Sequence, residues 1–115
     1  MSAKQNKRAI RQLRQNVPVF AALGDDTRLA LLTKLSGAPR LSIARLTRGS
    51  RLTRQAITKH LRVLQRAGLV RGVRRGRERL FELDPQPVDE ARRALEHISR
   101  KWDEALGRLK NFVED

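Results

Sequence analysis

Apolar residues recur at helical spacing along most of this chain, and the pattern breaks in one place. Near the N-terminus Ile10, Leu13 and Val17 stand three and four apart among polar and basic residues. One thin stripe of that kind predicts a helix resting on a neighbour, with its first few residues disordered. A basic arm that touches phosphate is the competing reading. Asn16-Val17-Pro18 marks a break and restart, since proline suits a first helical turn. Val17–Leu23 is then a short apolar helix, or a continuation of the first, ended by Gly24. Asp25 or Asp26 caps the next helix, over residues 27–36, where Leu29, Leu32 and Leu35 with Ala30 and Leu31 predict burial on one side. Gly37-Ala38-Pro39 is a loop. Residues 41–48 form a third short helix, with Ser42 as cap and Ile43, Ala44 and Leu46 facing inward.

Residues 50–68, SRLTRQAITKHLRVLQRAG, form the most sharply two-sided segment. Thr53 supplies an N-cap hydroxyl, and Gly68 stands where helices end in a left-handed residue. At about 100° per residue, Ile57, Leu61 and Leu64 share one narrow face. Gln55, Lys59, Arg62 and Arg66 occupy the opposite face, with Thr58 at its edge. One side can sink into a core while the other presents cations, an amide and a hydroxyl, and no acid. Those groups bind phosphate oxygens and read base edges in a DNA major groove. Two short helices joined by a glycine-containing turn make a helix-turn-helix.

The helical period fails over residues 69–83, LVRGVRRGRERLFEL. Val70, Val73, Phe81 and Leu83 suit strands, and Arg74-Arg75-Gly76-Arg77 is a basic turn between them. A hairpin directly after a reading helix is a wing, whose arginine tip belongs along phosphates or in a minor groove. The plainer alternative is a solvated charged loop. Asp84-Pro85-Gln86-Pro87 stops the hairpin. Across residues 88–112, Val88, Ala91, Leu95, Ile98, Trp102, Ala105 or Leu106, Leu109 and Phe112 then keep a three-to-four repeat. So long an apolar stripe exceeds what one small domain covers, which predicts pairing with a second copy of the chain.

Composition sharpens this picture. The chain has 115 residues, enough for one domain with a modest core, and a formal net charge of +14. Residues 1–16 carry five bases and no acid, and residues 17–85 fifteen bases against five acids. Residues 86–115 carry six bases against seven acids, so the positive charge coincides with the helix-turn-helix and not with the C-terminal helix. A polyanionic partner, nucleic acid ahead of an anionic membrane surface, accounts for that balance. The chain has no cysteine, which removes disulfides and thiolate metal sites. No apolar run approaches the ~20 residues of a membrane span, and the N-terminus lacks a signal-peptide core, so the cytoplasm is the expected compartment.

Three stretches together resemble the arsenic-repressor (ArsR) type of winged helix-turn-helix regulator. LGDDTRLALLTKL at 23–35 resembles the opening helix pair. LTRQAITKHLRVLQRAGLV at 52–70 is similar to the recognition helix with the first strand of the wing, and RGRERLFEL at 75–83 to the returning strand. The resemblance implies a mainly α fold with a small β-hairpin, acting as a homodimer on an inverted-repeat operator, usually as a repressor. It divides the chain into a basic N-terminal helix or arm (1–16), a winged helix-turn-helix (17–84) and a C-terminal dimerisation helix (85–115). By position it assigns base reading to Arg54, Gln55, Thr58 and Lys59. Phosphate contact falls to Thr53, Arg62 and the wing residues Arg74, Arg75, Arg77 and Arg79. The dimer seam would draw on Ile10, Leu13, Val88, Leu95, Ile98, Trp102, Leu106 and Leu109. His60 and Leu61 match the family's His-Leu pair, and His60 lies beside the buried face, as a packed or capping residue.

Metal sensing in many such proteins uses a Cys-x-Cys pair, where this chain has Ser42 and Ala44. In others it uses Asp and His ligands on the C-terminal helix, where this chain has His97 followed by Arg100. No metal or cofactor is therefore predicted, and the effector is left open. The leading function is sequence-specific regulation of transcription on double-stranded DNA, with the homodimer as the working unit and no membrane partner. A general nucleic-acid or architectural protein that reads only the backbone is the alternative. An adaptor whose C-terminal helix docks another protein is a third possibility. Enzymatic activity finds no support, since neither a nucleophile–base constellation nor a phosphate loop is present.

Overall fold

The structure is a computed structural model that describes residues 3–114. Helix α1 covers Ala3–Gln15 and α2 covers Val17–Leu23. Helix α3 is Asp26–Ser36, strand β1 Leu41–Ser42 and helix α4 Ile43–Thr47. Helix α5 is Arg54–Arg66, strands β2 and β3 are Val70–Arg75 and Glu78–Leu83, and helix α6 is Pro85–Glu114. Residues 3–15 are thus helical and not an extended arm. Of the first few residues expected to be disordered, Met1 and Ser2 lie outside the described residues.

The helix boundaries follow local chemistry. Asn16 separates α1 from α2, buried, with its side-chain amide donating to the Gln12 carbonyl at 2.7 Å. Asp25, not Asp26, caps α3, its Oδ2 accepting from the Arg28 backbone N–H at 3.0 Å. Arg28 then reaches back and donates to the last carbonyls of α2, to Ala22 O at 2.6 Å and Ala21 O at 3.1 Å. Unpaired carbonyls at a helix C-terminus accept a cation well. Helix α5 ends in a Schellman motif: Gly68 has φ of +78°, its N–H donates to Gln65 O, and the Leu69 N–H donates to Leu64 O.

Three expectations are corrected. Residues 41–48 are not one helix. Leu41 and Ser42 pair antiparallel with Phe81 and Leu80, and the helix begins at Ile43 with Ser42 as its cap. The wing is consequently a three-stranded sheet of order β1-β3-β2. A two-residue strand leaves no period to detect. Second, Ala44, Leu29 and Ala30 point outward; Leu29 is 46% exposed while Leu31, Leu32 and Leu35 are buried. Third, the Asp84–Pro87 stretch starts α6. Asp84 Oδ1 accepts from the Gln86 N–H at 3.1 Å and Pro85 fills the first helical position, so a stop for the hairpin doubles as a helix start.

The core lies where α3, α4, α5 and the sheet meet. Leu46, Leu64 and Leu69 are fully buried, with Ile57, Leu61, Leu35 and Phe81 nearly so. Val19 and Ala22 of α2 and Ala91 of α6 close it from the far side. Ile57, Leu61 and Leu64 are the buried face that the period of α5 predicts, so the rotation of this helix is fixed by packing.

Candidate nucleic-acid interface

The rotation that buries Ile57, Leu61 and Leu64 leaves Arg54, Gln55, Lys59 and Arg62 exposed. Thr53 accepts from the Ala56 N–H at 3.1 Å, so its hydroxyl oxygen is occupied in starting the helix. Thr58 is half-buried and its hydroxyl donates to Arg54 O at 2.8 Å, which leaves only lone pairs and a methyl group for an external partner.

The hairpin turns on Gly76, with φ of +63°, between Arg75 and Glu78, which are paired in register. A positive φ at the first of two central residues is the type II′ arrangement, which matches strand twist. Across the ladder Arg74 stands opposite Arg79, and Gly72 opposite Phe81. Arg79 departs from the expectation of an arginine thrown out at the tip. Its guanidinium carbon lies 5.4 Å from the Phe81 ring centroid. A Cβ on Gly72 would approach Arg79 Nε at 3.2 Å and Gln65 Nε2 at 3.0 Å. Arg79 is folded back over the hairpin, toward α5, by a cation–π contact and the space that Gly72 provides.

A cleft of about 350 Å³ opens between α4, α5 and the hairpin tip. It is lined by Ser42, Ile43, Ala44, Arg54, Gln55, Thr58, Arg77, Glu78 and Arg79. Three of the four residues assigned to base reading therefore share one concavity with two wing arginines. Lys59, Arg62, Arg74 and Arg75 lie outside it, on the flanks. The sequence reading missed Ser42 and Ala44 as walls of this cleft, because it turned Ala44 inward where the structure exposes it.

Ion pairing separates two populations of cations. On α6, Arg92 binds Asp89 and Glu96 at 2.7 and 2.9 Å, and Arg93 binds Asp89 at 3.2 Å. The Asp89 carboxyl is held below its ordinary range by the Arg92 hydrogen bond and charge. At the outer face of the sheet Glu82 takes both Arg40 and Arg71, at 3.1 and 3.5 Å. Among the described residues no carboxylate lies within ion-pair distance of Arg54, Lys59, Arg62, Arg74, Arg75 or Arg77. Cations left without internal partners on one surface make a positive field available to an external anion.

His60 sits behind this surface, half-buried, with Nδ1 3.7 Å from Asp25 Oδ2 and 3.5 Å from Arg28 Nη1. It ties α5 to the start of α3. Among the described residues no group of three or more His, Cys, Asp or Glu side chains could hold a metal ion, and no helix is long and apolar enough to cross a membrane.

Residues 23–73 match the model of a family described as a helix-turn-helix domain. The HTH-type transcriptional regulator Rv2034 of Mycobacterium tuberculosis is 36% identical over 95 residues, covering 83% of this chain and 85% of that protein. The HTH-type transcriptional regulator YuzN of Bacillus subtilis is 41% identical over 76 residues, 61% of this chain and 83% of its own length. Among solved structures, an ArsR-like transcriptional regulator from Rhodococcus sp. RHA1 superposes with a TM-score of 0.75 at 38% identity, covering 86% of this chain and 92% of that one. The chain belongs to the ArsR-like winged helix-turn-helix regulators. It is a transcriptional regulator with a helix-turn-helix DNA-binding domain, and its relatives are regulators of transcription and not enzymes. In this ArsR-like chain, α4 and α5 are the helix-turn-helix pair, and β2 and β3 form the hairpin of the three-stranded wing.

Proposed function

We propose that the protein represses transcription as a homodimer that reads an inverted-repeat operator. Residues 17–84 engage the DNA, α6 within residues 85–115 pairs the two copies, and α1 within residues 1–16 packs beside that seam. The observation that carries this reading is the cleft that joins Arg54, Gln55 and Thr58 to Arg77, with Glu78 the one carboxylate in its lining, beside cations that no carboxylate among the described residues pairs with. Gln55 suits adenine, and Arg54 or Lys59 guanine, each good pair giving about 1–3 kcal/mol of discrimination. Arg62, Arg74, Arg75 and Arg77 hold phosphates, and Arg79, turned toward α5, braces the wing against the reading helix. Thr53 contributes by fixing the first turn of α5.

The second half of the proposal rests on α6. Leu95, Trp102, Leu106, Leu109 and Phe112 are between 51% and 83% exposed, a stripe left uncovered among the described residues. Ile10 and Val88 extend it, with Leu13 and Ile98 half-buried at its inner edge. The joint variant Arg54→Ala with Gln55→Ala tests the reading roles by anisotropy competition between a selected operator and random duplex. The expected result is a specificity ratio that falls toward one while binding to random DNA is nearly unchanged. Equal loss on both duplexes would assign these side chains to the backbone and favour a non-specific architectural role.

A further inference from the structure

The cleft between α4, α5 and the hairpin tip is lined in part by side chains with nothing to offer a phosphate. Arg54 and Gln55 bring exposed polar groups to it. The side chains of Ile43 and Ala44 bring only aliphatic surface, and Ala44 is exposed. Thr58 lines the same cleft with its hydroxyl hydrogen committed to Arg54 O at 2.8 Å. A donor committed in that way is lost to phosphate oxygens, and the methyl group is the larger part of what Thr58 has left to present. Ser42, the cap of α4, has its oxygen engaged by the Arg45 N–H at 3.2 Å. The base-reading cleft thus holds a patch of aliphatic carbon beside its amide and guanidinium. Such a patch gains from burial against an apolar group. In the major groove one base displays such a group, the C5 methyl of thymine.

We infer that Thr58 and Ala44 receive the C5 methyl of a thymine, one in each half-site, next to the bases that Arg54 and Gln55 read. This rests on the proposed base-reading function and adds to it the chemical feature that this part of the cleft selects. Alanine and the methyl of threonine are usual partners of the thymine methyl. A phosphate in the same space would meet carbon at Ile43, Ala44 and Thr58 and gain nothing from it. Cytosine presents a hydrogen where thymine has the methyl, and one methyl left unburied should cost about fourfold in affinity. Cytosine methylated at C5 carries the same group at the same place. The protein should therefore respond to cytosine methylation at this position as it responds to thymine. Neither response follows from hydrogen-bond readout by Arg54 and Gln55, since the methyl group takes no part in hydrogen bonding.

The test uses the full-length protein and the operator enriched from a random pool. Each thymine is replaced in turn, symmetrically in both half-sites, by deoxyuridine, which lacks only the C5 methyl. Affinity is read by anisotropy at fixed salt. One position should lose about fourfold per half-site, or about fifteenfold for the symmetric pair. Thr58→Ser keeps the hydroxyl that donates to Arg54 O and drops the methyl, so thymine and uracil at that position should then bind nearly alike. Thr58→Val, which keeps a methyl, should retain the preference for thymine. Ala44→Gly is the second variant and should also narrow the preference. A C·G pair placed at the same position should gain about fourfold per half-site when its cytosine is methylated at C5. Uracil tolerated at every thymine would overturn the inference and leave base reading by Arg54 and Gln55 standing, with a phosphate as the rival occupant of the patch. A uracil penalty that neither Thr58→Ser nor Ala44→Gly alters would overturn it too, since the methyl would then act through duplex shape. No enriched sequence at all would bring down the proposed function and this inference together.

Discussion

Thr53 shows how one side chain can serve the site through the helix it starts, while its O–H remains available to donate. Its hydroxyl oxygen caps α5, and the cap sets where Arg54 and Gln55 emerge. Thr53→Ala should lower stability by about 1 kcal/mol in a denaturant melt, the usual worth of an N-cap, and weaken operator and random DNA alike. Asp25 is a second such residue. Its carboxyl is held below the ordinary range, first by the Arg28 backbone N–H and also by the charges of Arg28 and His60. A depressed folded-state pKa means that folding favours the ionised form. Its contribution is present above the unfolded carboxylate pKa, about 4, and disappears as pH falls through the lower folded value. Asn also caps helices, so Asp25→Asn removes the charge and keeps the cap. The stability gap between the wild type and Asp25→Asn should be widest near neutral pH and close as pH falls through the lowered carboxyl pKa; a gap that widens in acid would refute the assignment.

At the scale of elements, α5 was legible because its burial period is uninterrupted and both of its ends carry their signals, Thr53 and Gly68. Leu64, with no exposed surface, anchors it. Leu64→Ala should cost about 2–5 kcal/mol and uncouple the reading face from the core, as seen in a lowered melting temperature with loss of operator binding. The wing was legible from its turn, yet two of its features were not. Strand β1 is two residues long, and its pairing with β3 depends on a contact some forty positions away in sequence. The fold-back of Arg79 depends on Gly72 across the ladder, which no pattern local to Arg79 encodes. The Asp84–Pro87 stretch stops the strand as expected, and its residues also start α6, ahead of the Val88 from which the repeat was read. Arg74 opposite Arg79 sets like charges across one rung, which disfavours the free hairpin. Arg74→Ala should therefore leave the melt unchanged or slightly raised at low salt. It should also reduce DNA affinity on all sequences, with the salt slope smaller by about one.

At the scale of the whole molecule, the chain is long and lopsided, 66 × 28 × 21 Å, because α6 runs 30 residues, far past the core. That much was readable from its repeat. Which of its residues the chain itself covers was not, since Ala91 and Ala94 are buried while Leu95, one step on, is half exposed. Leu106→Glu with Leu109→Glu should convert a dimer to a monomer in sedimentation and weaken operator binding steeply, while random DNA is bound nearly as before. The central claim is that two copies of one reading surface, held by paired α6 helices, recognise bases symmetrically. Selection of bound duplexes from a random pool by the full-length protein tests it most directly. The account predicts an enriched palindrome with half-sites about 10 base pairs apart, centre to centre, that is lost with Arg54→Ala and Gln55→Ala. An unpaired single site, or no enrichment over the starting pool, would contradict it.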